Sequence, residues 1–322
     1  MGLPTISVVT PSFNQQKYLE KTLLSVLNQS YPATEYFVMD GGSTDGSLEI
    51  IKKYQDQITG WVSAADSGQA DAINQGFARC TGEVFAWINS DDFYLKGAFQ
   101  KAAEFFSDHP DVDLVYGDVI SVDEAENIIN VMRFSSYGRD DLLTFHIISQ
   151  PGVFFRRSAW ERAGGLDLSY KLMLDHELWI RMMKTGKMAY LPIPLAAARF
   201  HDEAKNIAQA AGFGKEAFRI LNKYKRDGET LSERQLMSGA FLVDAFYLSN
   251  AGHPAEALNQ YWQAFKLDPS RTLRDWRRIA LTILMKINPA LAQKLYSKQV
   301  QQRMNSLKGF QSLLDSSTDG GE

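Results

Sequence analysis

Over its first 120 residues the chain alternates short apolar, β-branched or aromatic runs with longer stretches in which apolar residues return every three or four positions. The runs at 5–10, 36–39, 60–64, 83–88 and 112–116 predict strands, and 16–28, 47–55, 68–80 and 96–108 carry the helical period. Strands that alternate with crossover helices predict a parallel α/β sheet. The ligand of such a sheet binds beyond the carboxyl ends of its strands. Residues there are polar at four consecutive strands: Ser12 and Asn14, then Asp40, then Asp66, then Asn89 with Asp91 and Asp92. One Asp after a strand is ordinarily a helix cap or turn residue. Several on one rim repel one another and call for a cation, or for donors such as ribose hydroxyls and base N–H groups.

Beyond residue 120 the pattern shortens. An irregular stretch at 135–141 precedes a helix at 175–186, a strand at 188–193 and the segment RFHDEAKN at 199–206. From about 212 onward the chain reads helical, which suggests a first domain over 1–211 and a helical region over 212–322. Small and aromatic residues at helical spacing over 240–270, around a turn at 252–254, resemble one tetratricopeptide helix pair, without a second clear copy. Residues 271–303 predict basic amphipathic helices, and 308–322 a flexible tail.

Composition excludes several classes. With 322 residues, 45% hydrophobic and 22% charged, the chain is ordinary globular protein. The single cysteine, Cys80, can form neither an intramolecular disulfide nor a cysteine-rich metal site, and the first residues lack the features of a signal peptide, which together suggest a reducing, cytoplasmic setting. The longest apolar run, 279–287, is too short for a membrane span and carries Thr282 and Lys286. A net charge of -4 argues against a general nucleic-acid binder, yet 271–303 holds eight Lys/Arg against one Asp.

Neither GxGxxG after a strand nor GxxxxGK followed by Ser or Thr is present, and no GxSxG occurs. The glycine-rich GGSTDGS at 41–47 carries Asp45, which would repel a phosphate. Four separated motifs are present instead: VVTPSFNQQKYLEKTLLSVLNQSYP at 8–32, MDGGSTDGS at 39–47, DSGQADAINQGFARCTGEVFAWINSDD at 66–92 and LDHELWIRM at 174–182. Over residues 4–206 the chain thereby resembles the family-2 glycosyltransferases with the GT-A fold, of the non-processive bacterial envelope-glycan type. That fold is a mixed, mostly parallel sheet flanked by helices.

The resemblance implies roles for particular residues. Asp40 would grip the nucleotide base or ribose, with Pro11, Ser12 and Asn14 as the facing wall, since a carboxylate accepts from base N–H groups and hydroxyls. Asp66 would sit deeper, Gly68 would let backbone amides approach a phosphate or sugar hydroxyl, and Gln69 and Ser90 complete the donor-binding set. Asp71 and Asn74 are either part of that set or plain helix residues. Asn89 to Asp92 matches the family's DxD position, where Mg²⁺ or Mn²⁺ offsets the repulsion between carboxylates and diphosphate. Asp91 would be the principal ligand and Asp92 a ligand or its partner, with Asn89 replacing the usual first Asp. His201 looks like the late histidine that reaches metal or diphosphate, and Lys205 could neutralise the leaving phosphate. Asp175 falls at the catalytic base, with Leu174 in place of the preceding Glu; a helix cap is its bland alternative. Glu177 and Arg181, spaced i,i+4, suggest a surface ion pair, and Trp179 either underlies the acceptor or belongs to the core.

The implied activity is metal-dependent, inverting hexosyl transfer from a nucleoside diphosphate sugar, a UDP-sugar by resemblance, to a hydroxyl of a glycan or lipid-linked glycan. Absence of QxxRW and of flanking membrane spans points to one residue per event rather than processive synthesis. The competing readings are a nucleotidyltransferase of related fold and a non-catalytic sugar-nucleotide-binding scaffold. The 271–303 stretch fits either a helix lying on an anionic membrane surface, which would make the protein peripheral on the inner face of the cytoplasmic membrane, or a cap with a wet basic face.

Overall fold

The computed structural model of the protein describes residues 3–32, 34–201, 208–225 and 231–315. By contacts the chain divides into two compact units, one of Met1–Ser136, Ile148–Arg199 and Leu307–Glu322, the other of Tyr137–Ile147 and Phe200–Ser306.

The first unit runs β1 (Ile6–Ser12), α1 (Gln16–Leu27), β2 (Thr34–Asp40), α2 (Ser47–Lys53), β3 (Gly60–Ser63), α3 (Gln69–Phe77), β4 (Val84–Trp87), β5 (Phe93–Tyr94), α4 (Ala98–Asp108), β6 (Leu114–Val122) and β7 (Ile128–Met132). After a short helix, α5 (Arg139–Leu143), that belongs to the second unit, it resumes with β8 (Val153–Arg156), α6 (Arg157–Ala163), α7 (Leu174–Met182) and β9 (Met188–Arg199). The nine strands form one sheet in the order β3-β2-β1-β4-β8-β6-β9-β5, with β7 paired to β6. β3, β2, β1 and β4 are mutually parallel, β8 runs antiparallel between β4 and β6, and β6 and β9 are parallel.

Parallel strands covered on both faces need apolar residues on both, and β1 is buried at all seven positions. β4 shows how the faces differ. Val84 and Ala86 join a core with Leu19, Leu23, Phe99 and Ala102, while Phe85 and Trp87 turn to the other face. There Phe77 stacks on Phe85 at 4.6 Å and Trp179 stacks on Trp87 at 5.3 Å, which seats α3 and α7 against the sheet. Gly76 makes that approach possible: a Cβ there would lie 2.5 Å from Val9 Cγ1.

Two expectations change. β9 extends well past 193 to Arg199, because it pairs with β6 as far as Val122. The predicted flexible tail is ordered at its start: helix Gln311–Asp315 forms, and Leu314 is buried with Phe93, Ile120 and Val122. Residues 316–322 lie outside the described residues.

In the second unit the helix pair expected over 240–270 consists of Glu233–Asn250 and Pro254–Leu267, joined through Gly252 in the left-handed region (φ 78°). The stretch read as irregular contains the helical turn of α5, and helices Trp276–Ile287 and Pro289–Ser306 follow the pair. Among the described residues no helix is long and apolar enough to cross a membrane.

Candidate active site

Register builds the rim. Ser12 of β1 lies opposite Asp40 of β2, which lies opposite Ser63 of β3. β4 ends at Trp87 opposite Val9, so the Asn89–Asp92 segment leaves the sheet level with the last residues of β1. The rim is therefore shared by Pro11, Ser12, Asp40, Asn89 and Ser90.

Asp40 is spent on its own loop. Its carboxylate accepts the backbone N–H groups of Gly42 (3.2 Å) and Ser43 (3.0 Å) and the hydroxyls of Ser43 and Ser63. Four donors match the roughly four lone-pair sites of a carboxylate, and the side chain is buried. Asn14 clamps the same loop from across the rim: in a left-handed conformation (φ 51°) that asparagine tolerates, it accepts from Thr44 N–H at 2.8 Å and its own N–H donates to Ser43 Oγ at 2.8 Å. Ser12 Oγ, in contrast, is buried without a hydrogen-bond partner.

The next strand end supplies Asp66, which accepts the N–H of Gly68 at 2.7 Å. A Cβ on Gly41 would lie 3.0 Å from Asp66 Oδ2 and 3.4 Å from the ring of Phe13. Phe13 is thus an exposed aromatic (61%) at the rim beside a carboxylate. The sequence reading passed over it, although its place between Ser12 and Asn14 was the available signal. Gly68 opens α3 with φ +106°, and Gln69 Nε2 donates to Asn89 Oδ1 at 2.6 Å, tying that helix start to the Asn89–Asp92 turn. Asp71 and Asn74 face other work: Asp71 accepts Ser67 N–H at 3.0 Å as a cap, which holds its carboxyl below the usual range, and Asn74 exchanges two hydrogen bonds with the Leu166 backbone.

Asp91 is half-buried and Asp92 is buried. Asp92 Oδ1 accepts the backbone N–H of Arg199 at 2.8 Å, and Thr22 Oγ1 donates to the Asp92 carbonyl at 2.7 Å. Burial, and then the neighbouring Asp91, push the Asp92 carboxyl well above the usual carboxylate range. Among the described residues no group of three His, Cys, Asp or Glu side chains is gathered as a metal cage. The donor set instead suits an ion of the Mg²⁺ or Mn²⁺ kind, which takes one or two protein carboxylates and fills its octahedron with water and phosphate oxygens.

Asp175 opens α7, half-buried, and accepts the N–H of His176 at 2.8 Å. Two contacts tie its neighbourhood to the rim. Trp179, one turn on, stacks on Trp87, and Lys171, one turn before, donates from Nζ to the Ser67 carbonyl at 3.2 Å, beside Gly68. Trp179 is fully buried and belongs to the core. The Glu177–Arg181 pair is a correction: Glu177 has no exposed side chain and takes a bidentate grip from Arg181 at 2.7–2.9 Å, because α7 turns this face inward toward α6. His201 is buried and belongs to the second unit, and Lys205 lies outside the described residues.

Residues 7–164 match the family model described as glycosyl transferase family 2. The chain is 30% identical over 194 residues to a putative teichuronic acid biosynthesis glycosyltransferase, TuaG, of Bacillus subtilis, covering 58% of this chain and 75% of that protein. It is 33% identical over 246 residues to an uncharacterized glycosyltransferase of a Nostoc species, covering 69% and 74%. Among solved structures, S. aureus TarS 1–349 in complex with UDP-GlcNAc aligns with a TM-score of 0.59 at 16% identity over 96% of this chain and 92% of that one. The mannosyltransferase PcManGT from Pyrobaculum calidifontis, in complex with GDP-Man and Mn²⁺, aligns with a TM-score of 0.60 at 18% identity over 90% and 89%. These two share the fold, and both are sugar-nucleotide complexes.

Proposed function

The chain belongs to glycosyl transferase family 2, and from that premise we propose that it is an inverting hexosyltransferase that moves one sugar per event from a UDP-sugar to a hydroxyl of a glycan or lipid-linked glycan. The observation that carries this reading is the rim itself: Phe13, Asp66, the Asn89–Asp92 turn and, through the Trp87–Trp179 stack, the start of α7 converge on one edge of the sheet.

Phe13 offers an exposed face for the base to stack on, and the Asp66 carboxylate beside it can accept a base or ribose donor. Asp40 and Asn14 serve the donor indirectly by holding the Gly41–Ser47 loop in shape. Gly68 admits close approach of the α3 backbone to the sugar or diphosphate, Gln69 fixes Asn89, and Ser90 lines the turn. Asp91 would hold Mg²⁺ or Mn²⁺, with Asp92 behind it; the ion would supply positive charge to the departing diphosphate. Lys171, with Nζ over Gly68, adds a cation on the same side.

Asp175 is the general base. Its carboxylate takes the proton from the acceptor hydroxyl as that oxygen forms its bond to the anomeric carbon, while the bond to the diphosphate breaks on the opposite face, which inverts the configuration. One relative is named as a putative teichuronic acid biosynthesis glycosyltransferase, which supports a glycan acceptor, and a lipid-borne acceptor would bring the enzyme to an anionic membrane surface. The test is a panel of nucleotide sugars scored by thermal shift with and without Mn²⁺. Selective stabilisation by one UDP-sugar, greater with the ion, is the expected result. A panel in which no nucleotide sugar stabilises the protein would overturn the reading.

A further inference from the structure

The helix Trp276–Ile287 presents an apolar stripe outward. Trp276, Ala280, Ile283 and Ile287 recur at i, i+4, i+7 and i+11, a single stripe along the helix, and all four are exposed, Trp276 at 58% and Ile287 at 75%. The opposite side is the one that packs. Ile279 rests on the cluster of Leu242, Ala245, Tyr261 and Ala264, and Thr282 is fully buried, its hydroxyl 2.9 Å from that of Ser249. Leu281, Leu284 and Met285 are half-buried, so the helix is apolar on its packed side as well and the outer stripe is the part left uncovered.

On the next helix, Pro289–Ser306, Leu291, Leu295 and Tyr296 are also exposed, at 43%, 42% and 56%. Exposed large apolar side chains concentrated on two successive helices mark an interaction site. Its charge identifies the partner. Arg274, Arg277, Lys286, Lys294 and Lys298 are exposed around it, and Asp275 is the only acid between 271 and 303. Asp275 already faces Arg278 at 3.8 Å. A second copy docking the same patch would set like charges against each other, whereas an anionic bilayer complements both the cations and the stripe. Twelve residues make a helix of about 18 Å, too short to span a bilayer and suited to lying in its interface.

We infer that the Trp276–Ile287 and Pro289–Ser306 helices dock the protein on an anionic lipid surface, with Trp276, Ile283, Ile287, Leu291 and Leu295 in the headgroup boundary. The inference rests on the transferase reading only in naming the surface at which a lipid-linked acceptor would be met. The experiment is co-sedimentation of the full chain with vesicles of phosphatidylcholine alone or with 30% phosphatidylglycerol, at low and high salt. Binding at least ~10-fold stronger to the anionic vesicles and weakened by salt is expected. Both a W276S/I283S/I287S variant and a R277Q/K286Q/K294Q variant should lose it, while keeping the unfolding midpoint and the nucleotide-sugar thermal shift of the parent. Absence of binding, binding unchanged in the variants, equal binding to neutral vesicles, or a dimer in solution that the serine variant breaks would each overturn the inference. Because nucleotide-sugar binding is read separately, loss of the docking idea leaves the transferase reading standing, and the reverse holds as well.

Discussion

Arg199, the last residue of β9, donates its backbone N–H to Asp92 Oδ1 at 2.8 Å, and its guanidinium reaches the Asp91 carbonyl at 3.0 Å. One residue, more than a hundred positions downstream, thus holds both carboxylate-bearing positions of the Asn89–Asp92 turn. Its side chain lies over the rings of Tyr18 and Phe93 and pairs with Glu126 at 2.9 Å. Arg199→Met should cost about 1–2 kcal/mol in urea unfolding, because it removes the donor to the Asp91 carbonyl and leaves Glu126 with Lys21 as its ion-pair partner. Arg199→Lys should recover little, since one ammonium cannot reproduce the fork. An unchanged midpoint in the Met variant would show that the turn stands without it.

Asp175→Asn keeps the size of the side chain and removes its basicity. Transfer should fall by about 10³-fold, within the range general-base removal commands, while the thermal shift produced by nucleotide sugar stays as in the parent. Transfer at the parental rate in this variant would remove Asp175 from the role of base.

Phe13→Ala should weaken nucleotide binding by about 10-fold or more, in line with ~1–3 kcal/mol for one base stacked on one aromatic ring, and Phe13→Tyr should preserve it. Since the ring is exposed, the unfolding midpoint should not move. Calorimetric titration with UDP separates these outcomes; equal affinity for Ala and Phe would place the base elsewhere.

Glu177→Gln breaks a buried pair and should cost about 3 kcal/mol, whereas Glu177→Gln combined with Arg181→Met should cost less than the two single changes together. Additive costs in a double-mutant cycle would mean that the pair is not coupled.

Asp244 sits against Gly214, where a Cβ would come within 1.9 Å of Oδ1, and burial, followed by Glu256, pushes its carboxyl up to about 6. The folded-state value lies above that of the unfolded chain. The group's stabilising contribution is therefore present below about pH 4 and is lost as pH rises through about 6. Asp244→Asn should flatten this slope and leave the variant more stable than the parent at pH 7, by up to about 3 kcal/mol. Urea midpoints of both proteins at pH 4.5 and pH 7 test the sign, and a parent that gains on the variant with rising pH would refute it.

Much of the frame was legible along the chain. β1, β2 and α1 announce themselves because a strand buried on both faces is rich in β-branched and aromatic residues and a half-buried helix must repeat at 3.6 residues, and neither requirement depends on partners far away. The polar positions at the ends of β1, β2 and β4 were legible for the same reason, and Asp175 lies near the start of a helix, where its motif implies it. The bounds of β9 were not, because the pairing with β6 that carries it to Arg199 is a long-range event.

The order of residues along the chain is enough to give the alternation of strand and helix, the polar rim and the family to which the chain belongs. How each polar atom is used emerges from the folded chain: Asp40 has its lone pairs taken by Gly42, Ser43 and Ser63, Glu177 lies inside rather than on the surface, and Trp276 and Ile287 face outward. Periodicity and local chemistry say which residue types occur at a given place, whereas the partners of a carboxylate and the covering of an apolar stripe come from segments far apart in the chain, brought together by packing of the core.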